Sequence, residues 1–196
     1  MFKHKVSAII GASLMMLLSS CSFYHMQTPE TVPVGKVNGG IGMFGVVVDG
    51  SPAAFPGLWV RTGVAPKFDM GVHTWGLGIK LDGKYGFNKY IGLGAGAAGS
   101  FLGAFVYGLE GSLYTGIPAG IIYPYAVGRM NIMGFSANFE NETFEDIGSL
   151  FTGVGGIKLS LGTMLRLYLE GGIGLPLSDV SGSAEPVFGI GVQIGQ

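Results

Sequence analysis

The stretch TMLRLYLEGGIGL, Thr163–Leu175, separates into two faces when read at every second residue. Leu165, Leu167, Leu169, Ile173 and Leu175 share one parity. Arg166, Tyr168, Glu170, Gly172 and Gly174 share the other. A helix of 3.6 residues per turn would mix these sets, whereas a strand sends alternate side chains to opposite faces. The segment therefore reads as a strand with one apolar face and one face of glycine and isolated charge.

The same period runs outward from it in both directions. Ile157, Leu159 and Leu161 oppose Gly156, Lys158 and Ser160, and Phe188, Ile190, Val192 and Ile194 oppose Gly189, Gly191 and Gln193. Leu58, Val60 and Val64 oppose Trp59, Arg61 and Gly63, and Met70 and Val72 oppose Asp69, Gly71 and His73. Ile91, Leu93, Ala95 and Ala97 oppose Gly92, Gly94 and Gly96. Across Gly78–Phe87, Ile79, Leu81, Tyr85 and Phe87 alternate with Lys80, Asp82, Lys84 and Gly86. Asp82-Gly83 could instead form a hairpin turn, but that leaves two very short arms, so a through-strand is preferred. Residues 37–48, 104–116 and 121–131 also read as strands, with less definite facing. Turn chemistry at Ser51-Pro52, Ala65-Pro66-Lys67, Asn88-Lys89, Pro118-Ala119-Gly120, Gly162-Thr163 and Ser178–Ser183 divides them. About ten strands result, within a range of eight to twelve.

Composition narrows the choice of solvent for the apolar face. Only 12% of residues are charged, against roughly 25% in soluble domains. Glycine supplies 37 of 196 residues, and mean hydropathy is +0.49. Glycine at this density disfavours helices and suits a tightly curved sheet. The formal charge of −1 offers nothing to a nucleic acid. The polar face lacks the dense Lys, Glu, Ser and Thr of a water-facing sheet. Phe68, Phe87, Tyr90 and Phe151 lie near strand ends, as interfacial girdles do. These features predict an all-β, antiparallel, up-and-down transmembrane barrel over residues 37–196, closed because lipid cannot satisfy a free sheet edge. The pattern resembles the small outer-membrane β-barrel proteins of bacteria. It departs from them at Ile194-Gly195-Gln196, where such barrels carry a terminal aromatic residue. A competing membrane reading is a spanning helix over the uncharged run Tyr90–Leu109, which contains Gly92 and Gly96 at small-xxx-small spacing. The glycines spaced by two argue against it.

The N-terminus carries an address. Lys3-His4-Lys5 is followed by the apolar run Val6–Leu18 and then by Leu18-Ser19-Ser20-Cys21. A charged start, a short apolar middle and small residues before a cut form a secretory signal peptide. Leu18–Cys21 resembles the lipobox of bacterial lipoproteins, which implies a signal peptide over 1–20 and a lipidated Cys21. An ordinary signal cut nearby, with a free thiol, is the simpler alternative. Cys21 is the only cysteine, so no internal disulfide is available. Ser22 in place of aspartate implies, by the same resemblance, the outer membrane as destination, lipid-anchored and reached through lipoprotein-processing and barrel-assembly machinery. Residues 21–36, with Pro29 and Pro33 and no period, read as a tether.

Candidate chemistry lies on the polar face. Arg61, Asp69, His73, Lys80, Asp82, Lys84, Glu110, Lys158, Arg166 and Glu170 would face the lumen. Both charge signs are present, so a pairing network inside a narrow barrel is expected. The functional alternative is a selectivity-lining pore or small-ligand transporter. His73 is the only histidine of the strands, and a lipid-modifying enzyme built on it, with Ser100 or Ser112, is a further alternative. No catalytic residue, cofactor or metal is assigned. Gly94–Gly99 matches the G-x-G-x-x-G dinucleotide string, but aromatic, strand-like residues follow it instead of a helix. The run Asn138–Ser149, with Glu140, Glu142, Glu145 and Asp146, is the longest polar break and reads as a solvated loop. The expected role is structural or interactional. The last alternative is a lipid-anchored soluble barrel with its apolar faces turned inward around an apolar ligand.

Overall fold

The computed structural model describes residues 26–48, 51–75, 78–101, 105–139, 142–177 and 183–195. Residues 1–20, expected as a signal peptide, Cys21 and most of Ser178–Ser183 lie outside these residues. Ten strands form: β1 (Val37–Val48), β2 (Ser51–Ala65), β3 (Phe68–Trp75), β4 (Gly78–Gly86), β5 (Ile91–Phe101), β6 (Phe105–Gly116), β7 (Ile122–Phe139), β8 (Glu142–Leu161), β9 (Leu165–Pro176) and β10 (Glu185–Gly195). Every strand pairs antiparallel with its neighbours in sequence, and β1 pairs with β10 from Asn38↔Gly195 to Val46↔Val187. The sheet is therefore a closed up-and-down barrel without edges.

The period read from Thr163–Leu175 decides the facing. Leu169 is 61% exposed on the outside of the barrel, while Glu170 beside it is buried inside. Leu58, Val60, Ile79, Leu81, Leu109, Ile132, Ile157 and Ile190 are likewise exposed outward. Trp59, Arg61, Asp69, His73, Lys80 and Asp82 are buried inward. The apolar faces thus point away from the lumen, and the soluble barrel with an inward apolar core is the wrong assignment of these faces. Leaving this much apolar area in water, at about 25 cal/mol per Å², would be strongly unfavourable.

Both ends of the barrel sequence, Val37 and Gly195, lie at one rim, which we call the near rim. Connections 66–67, 87–90, 117–121 and 162–164 return there, and the others return at the far rim. Lys67 (φ 64°) and Gly162 (φ 71°) take the left-handed backbone that two of these tight near-rim turns require.

Three sequence expectations are corrected. Ser51-Pro52 starts β2 and makes no turn, since both residues pair with Val47 and Val48 of β1. The run 138–149 is not one loop: Asn138 pairs with Thr143 and Ala137 with Phe144, so β7 and β8 extend as a ribbon. Alternation fades there because neither face needs a common solvent once the ribbon leaves the barrel wall. Residues 91–101 form β5 and 105–109 begin β6, and the described residues contain no helix, in keeping with the strand reading preferred there. Finally, the described part of the tether does not hang free. Residues 26–33 enter the lumen from the near rim, with Met26, Gln27, Thr28 and Val32 buried. Asp82-Gly83, by contrast, runs straight through β4 as preferred.

Candidate functional site

The lumen is built in three levels. Its far half is largely apolar: Phe44, Val46, Trp75, Val106, Met133, Leu150 and Val187 are buried there on six different strands. The middle is ionic. Arg61, Lys80, Lys84 and Arg129 face the carboxyl groups of Asp69, Asp82, Glu110 and Glu170, four against four, all buried. The near mouth holds a cavity of about 470 Å³.

Arg61 on β2 is the centre of the largest cluster. Its Nε donates to Asp69 Oδ1 at 3.0 Å and its Nη2 to the same oxygen at 2.5 Å. Its Nη1 donates to both Asp82 oxygens at 2.8 Å. His73 Nε2 lies 3.2 Å from Asp82 Oδ1 and 3.3 Å from Arg61 Nη1. β2, β3 and β4 are adjacent, and their parity sends Arg61, Asp69, His73 and Asp82 inward together. Glycine makes the space: a Cβ on Gly71 would sit 2.5 Å from Arg61 Nη1 and 2.6 Å from Asp82 Oδ1. Gly71 is therefore part of the cluster's design, because any larger residue would push the guanidinium off its carboxylates.

A second cluster surrounds Glu110 on β6. Lys80 Nζ donates to its Oε2 at 2.7 Å, Arg129 Nη1 to the same oxygen at 3.1 Å, and Ser112 Oγ to its Oε1 at 2.7 Å. Ser112 is thus engaged by a carboxylate. A third point is Glu170 on β9, whose Oε1 accepts from the Met26 backbone N–H at 2.8 Å and from the Tyr125 hydroxyl.

The N-terminal segment completes these clusters from within. Gln27 Nε2 donates to Asp82 Oδ2 at 3.1 Å and lies 3.2 Å from His73 Nε2. The Val32 N–H donates to Asp69 Oδ2 at 2.8 Å. Lys84 Nζ donates to the carbonyls of Thr28 and Glu30 at 2.9 and 2.6 Å, and lies 3.6 Å from Asp69. Lys158 pairs with Glu30. Gly35 N and Gly63 O, with Gly63 N and Lys36 O, hook the segment's exit to β2. Met26 packs where Gly42 of β1 and Gly191 of β10 leave room; a Cβ on either would meet its sulfur at 2.7 or 2.1 Å. Met26 therefore sits on the seam where first and last strands close the barrel.

Of the ten residues expected in the lumen, nine are buried, and Arg166 is half-buried at the near mouth, where Nη1 donates to Gly195 O at 2.8 Å. Sequence reading missed Arg129, Tyr125, Gln27 and Met26. The residues Tyr123, Tyr125, Val127, Arg129, Asn131 and Met133 do alternate inward, but the opposite parity is apolar too, so the period was masked. Gly94–Gly99 lies within β5, where Gly94 leaves room for the Tyr114 ring and Gly96 for Lys80 and Asp82. These glycines serve side-chain packing, with no phosphate-binding turn. The described residues contain no group of three His, Cys, Asp or Glu able to hold a metal ion.

No protein-family model matches the chain, and no curated protein matches it in sequence. Among solved structures it is similar to the outer-membrane protease OmpT of Escherichia coli, at 10% identity and TM-score 0.45, covering 86% of this chain and 98% of that one. It is also similar to Neisserial surface protein A, at 8% identity and TM-score 0.42, covering 81% and 95%. A third is the N-terminal barrel domain of Pseudomonas aeruginosa OprF, at 12% identity and TM-score 0.41, covering 81% and 97%. At such low identity and TM-score, these likenesses carry nothing about what this chain does.

Proposed function

We propose that this chain is an outer-membrane β-barrel with a closed lumen and a structural or interaction role, performing neither conduction nor catalysis. The observation that carries the reading is the reversal of faces: large apolar side chains outside, and paired ions plus the chain's own residues 26–33 inside. Such an exterior suits lipid. A lumen filled by clamped side chains opposes a continuous water path, and an apolar far half opposes wetting. The near rim, with its short turns and both barrel ends, is taken to face the periplasm, as short turns do in barrels of this kind. The signal peptide over residues 1–20 delivers the chain, and Cys21 carries the lipid. Outer-membrane lipids and the lipoprotein-processing and barrel-assembly machinery are the partners this reading requires.

Planar-bilayer recording on the purified protein tests the closed lumen. No ohmic steps are expected; steady conductance altered by Lys80→Gln would replace this reading with the narrow channel. Palmitate labelling tests the anchor: wild type is expected to take up label and Cys21→Ser to lose it. Equal labelling of both would remove the lipid from the proposal. Loss of a lipid-turnover activity in His73→Ala would establish the enzyme reading instead.

A further inference from the structure

The near mouth is not electrically balanced, unlike the middle of the lumen. Its cavity of about 470 Å³ is lined by Lys67, Lys89, Lys158 and Arg166, with Arg61 and Lys84 at its floor. Among the described residues of the lining, the one acidic residue is Glu30. Arg61 and Lys84 are answered by Asp69 and Asp82 below them. Lys158 shares Glu30. Lys67 donates to a backbone carbonyl, that of Phe87, at 3.2 Å, and Arg166 to that of Gly195. Lys89 lies 5.2 Å from the centre of the Tyr90 ring. Among the described residues, four cations thus meet one carboxylate around an open space. Two of the cations facing that space, Lys84 and Lys158, are more than nine-tenths buried, so each has surrendered most of its hydration.

Like charges gathered in a partly dehydrated cavity repel one another unless an anion joins them. The chain provides a first example of such an anion itself. Glu30 reaches into the cluster from the inserted segment, and its carboxylate takes Lys158 while remaining 44% exposed. One carboxylate against four cations leaves the mouth cationic, and the cavity is large enough for a small solute beside it.

We propose that the near mouth is a binding site for a small oxyanion, a carboxylate or a phosphate, held by Lys158 and Arg166 with Lys67 and Lys89 at the rim. Glu30 is the internal competitor for the same cations. The site rests on the outer-membrane reading only for the compartment it faces.

Titration calorimetry on the full mature protein in detergent micelles tests the site, with inorganic phosphate in one arm and citrate in the other. Saturable binding that weakens with added sodium chloride is expected in at least one arm, and the arm that binds identifies the anion class. Lys158→Gln and Arg166→Gln should each lower affinity about tenfold or more, the value of one charge-assisted hydrogen bond. Glu30→Gln should raise affinity, a gain that misfolding cannot produce. Absence of saturable binding in both arms for wild type and Glu30→Gln overturns the proposal. So does binding that neither cation variant alters. A conducting lumen would overturn the closed-barrel reading while leaving this isotherm intact, so the two failures are distinct.

Discussion

Arg61 shows how a single side chain holds three strands and the inserted segment in register. Its guanidinium takes Asp69 and Asp82, and those two carboxylates in turn take Val32 N–H and Gln27. Removing it would leave two buried carboxylates with only the more distant Lys84, 3.6 Å from Asp69, as a cation. Arg61→Met is therefore expected to destabilise the barrel by about 3–5 kcal/mol, read as a lower urea midpoint in micelles. Glycine sets the opposite constraint. A Cβ on Gly63 would lie 2.1 Å from the Pro33 carbonyl, a backbone atom that cannot step aside alone. Gly63→Ala is expected to displace residues 26–33 and expose them to protease while the barrel stays closed. Gly111→Ala, with nothing within 4 Å of the added Cβ, should leave both properties unchanged. Protection equal to wild type in Gly63→Ala would contradict the insertion.

Among the elements, β7 and β8 differ from the rest. They span 18 and 20 residues, against 8 for β3. β6 stops pairing with β7 at Ser136, and β9 pairs with β8 only from Leu150. Residues 137–139 and 142–149 are thus held by β7–β8 pairing and, among the described residues, by no third strand. Replacing 138–143 by a two-residue Asn-Gly turn should change the unfolding midpoint little, whereas a cut of equal size within β4 should prevent closure. The same contrast explains what the sequence revealed. β4, β9 and β10 were legible because lipid and lumen demand opposite residues on their two faces. β7 was legible as a strand but not in its facing, since Tyr125 and Val127 fill the inside while Ile132 and Met130 face outward. Arg129 was lost in that sameness. The inserted segment left no local signal at all. Met26 and Gln27 follow no period, because what fixes them is a gap lined by Gly42, Gly189 and Gly191, far away in sequence. Only the volume missing from those glycine rows could have announced a filler.

At the scale of the molecule, the barrel is layered by charge along its axis: cationic near mouth, neutralised middle, apolar far half. Acidic residues then gather at the far rim, where Glu142, Glu145, Asp146 and Glu185 begin or follow the starts of β8 and β10. A protein so polarised should change its reconstituted orientation with the charge of the vesicle. Vesicles rich in anionic lipid are expected to hold the near rim more firmly than neutral ones, measured as protection of Lys67 and Lys89 from amine-reactive label that is lost on adding salt. Equal protection in both would refute a functional asymmetry between the rims.

The place of Met26 on the β1–β10 seam carries a consequence in time. The seam reaches its final packing only with that filler in place, so insertion of residues 26–33 and closure of β1 on β10 are coupled. Cys21 precedes Met26 by five residues, a leash of about 17 Å at full stretch. Glu170, which holds the Met26 amide, stands five residues up β9 from Leu165, about 13 Å of depth for a strand tilted as in barrels. An acyl group on Cys21 at the near leaflet would leave that leash almost no slack. The lipid would then act as a spring stop: a segment tied to the leaflet before closure can go no deeper than Met26 goes. The length of chain between cysteine and methionine would thus be the gauge that sets where the plug comes to rest.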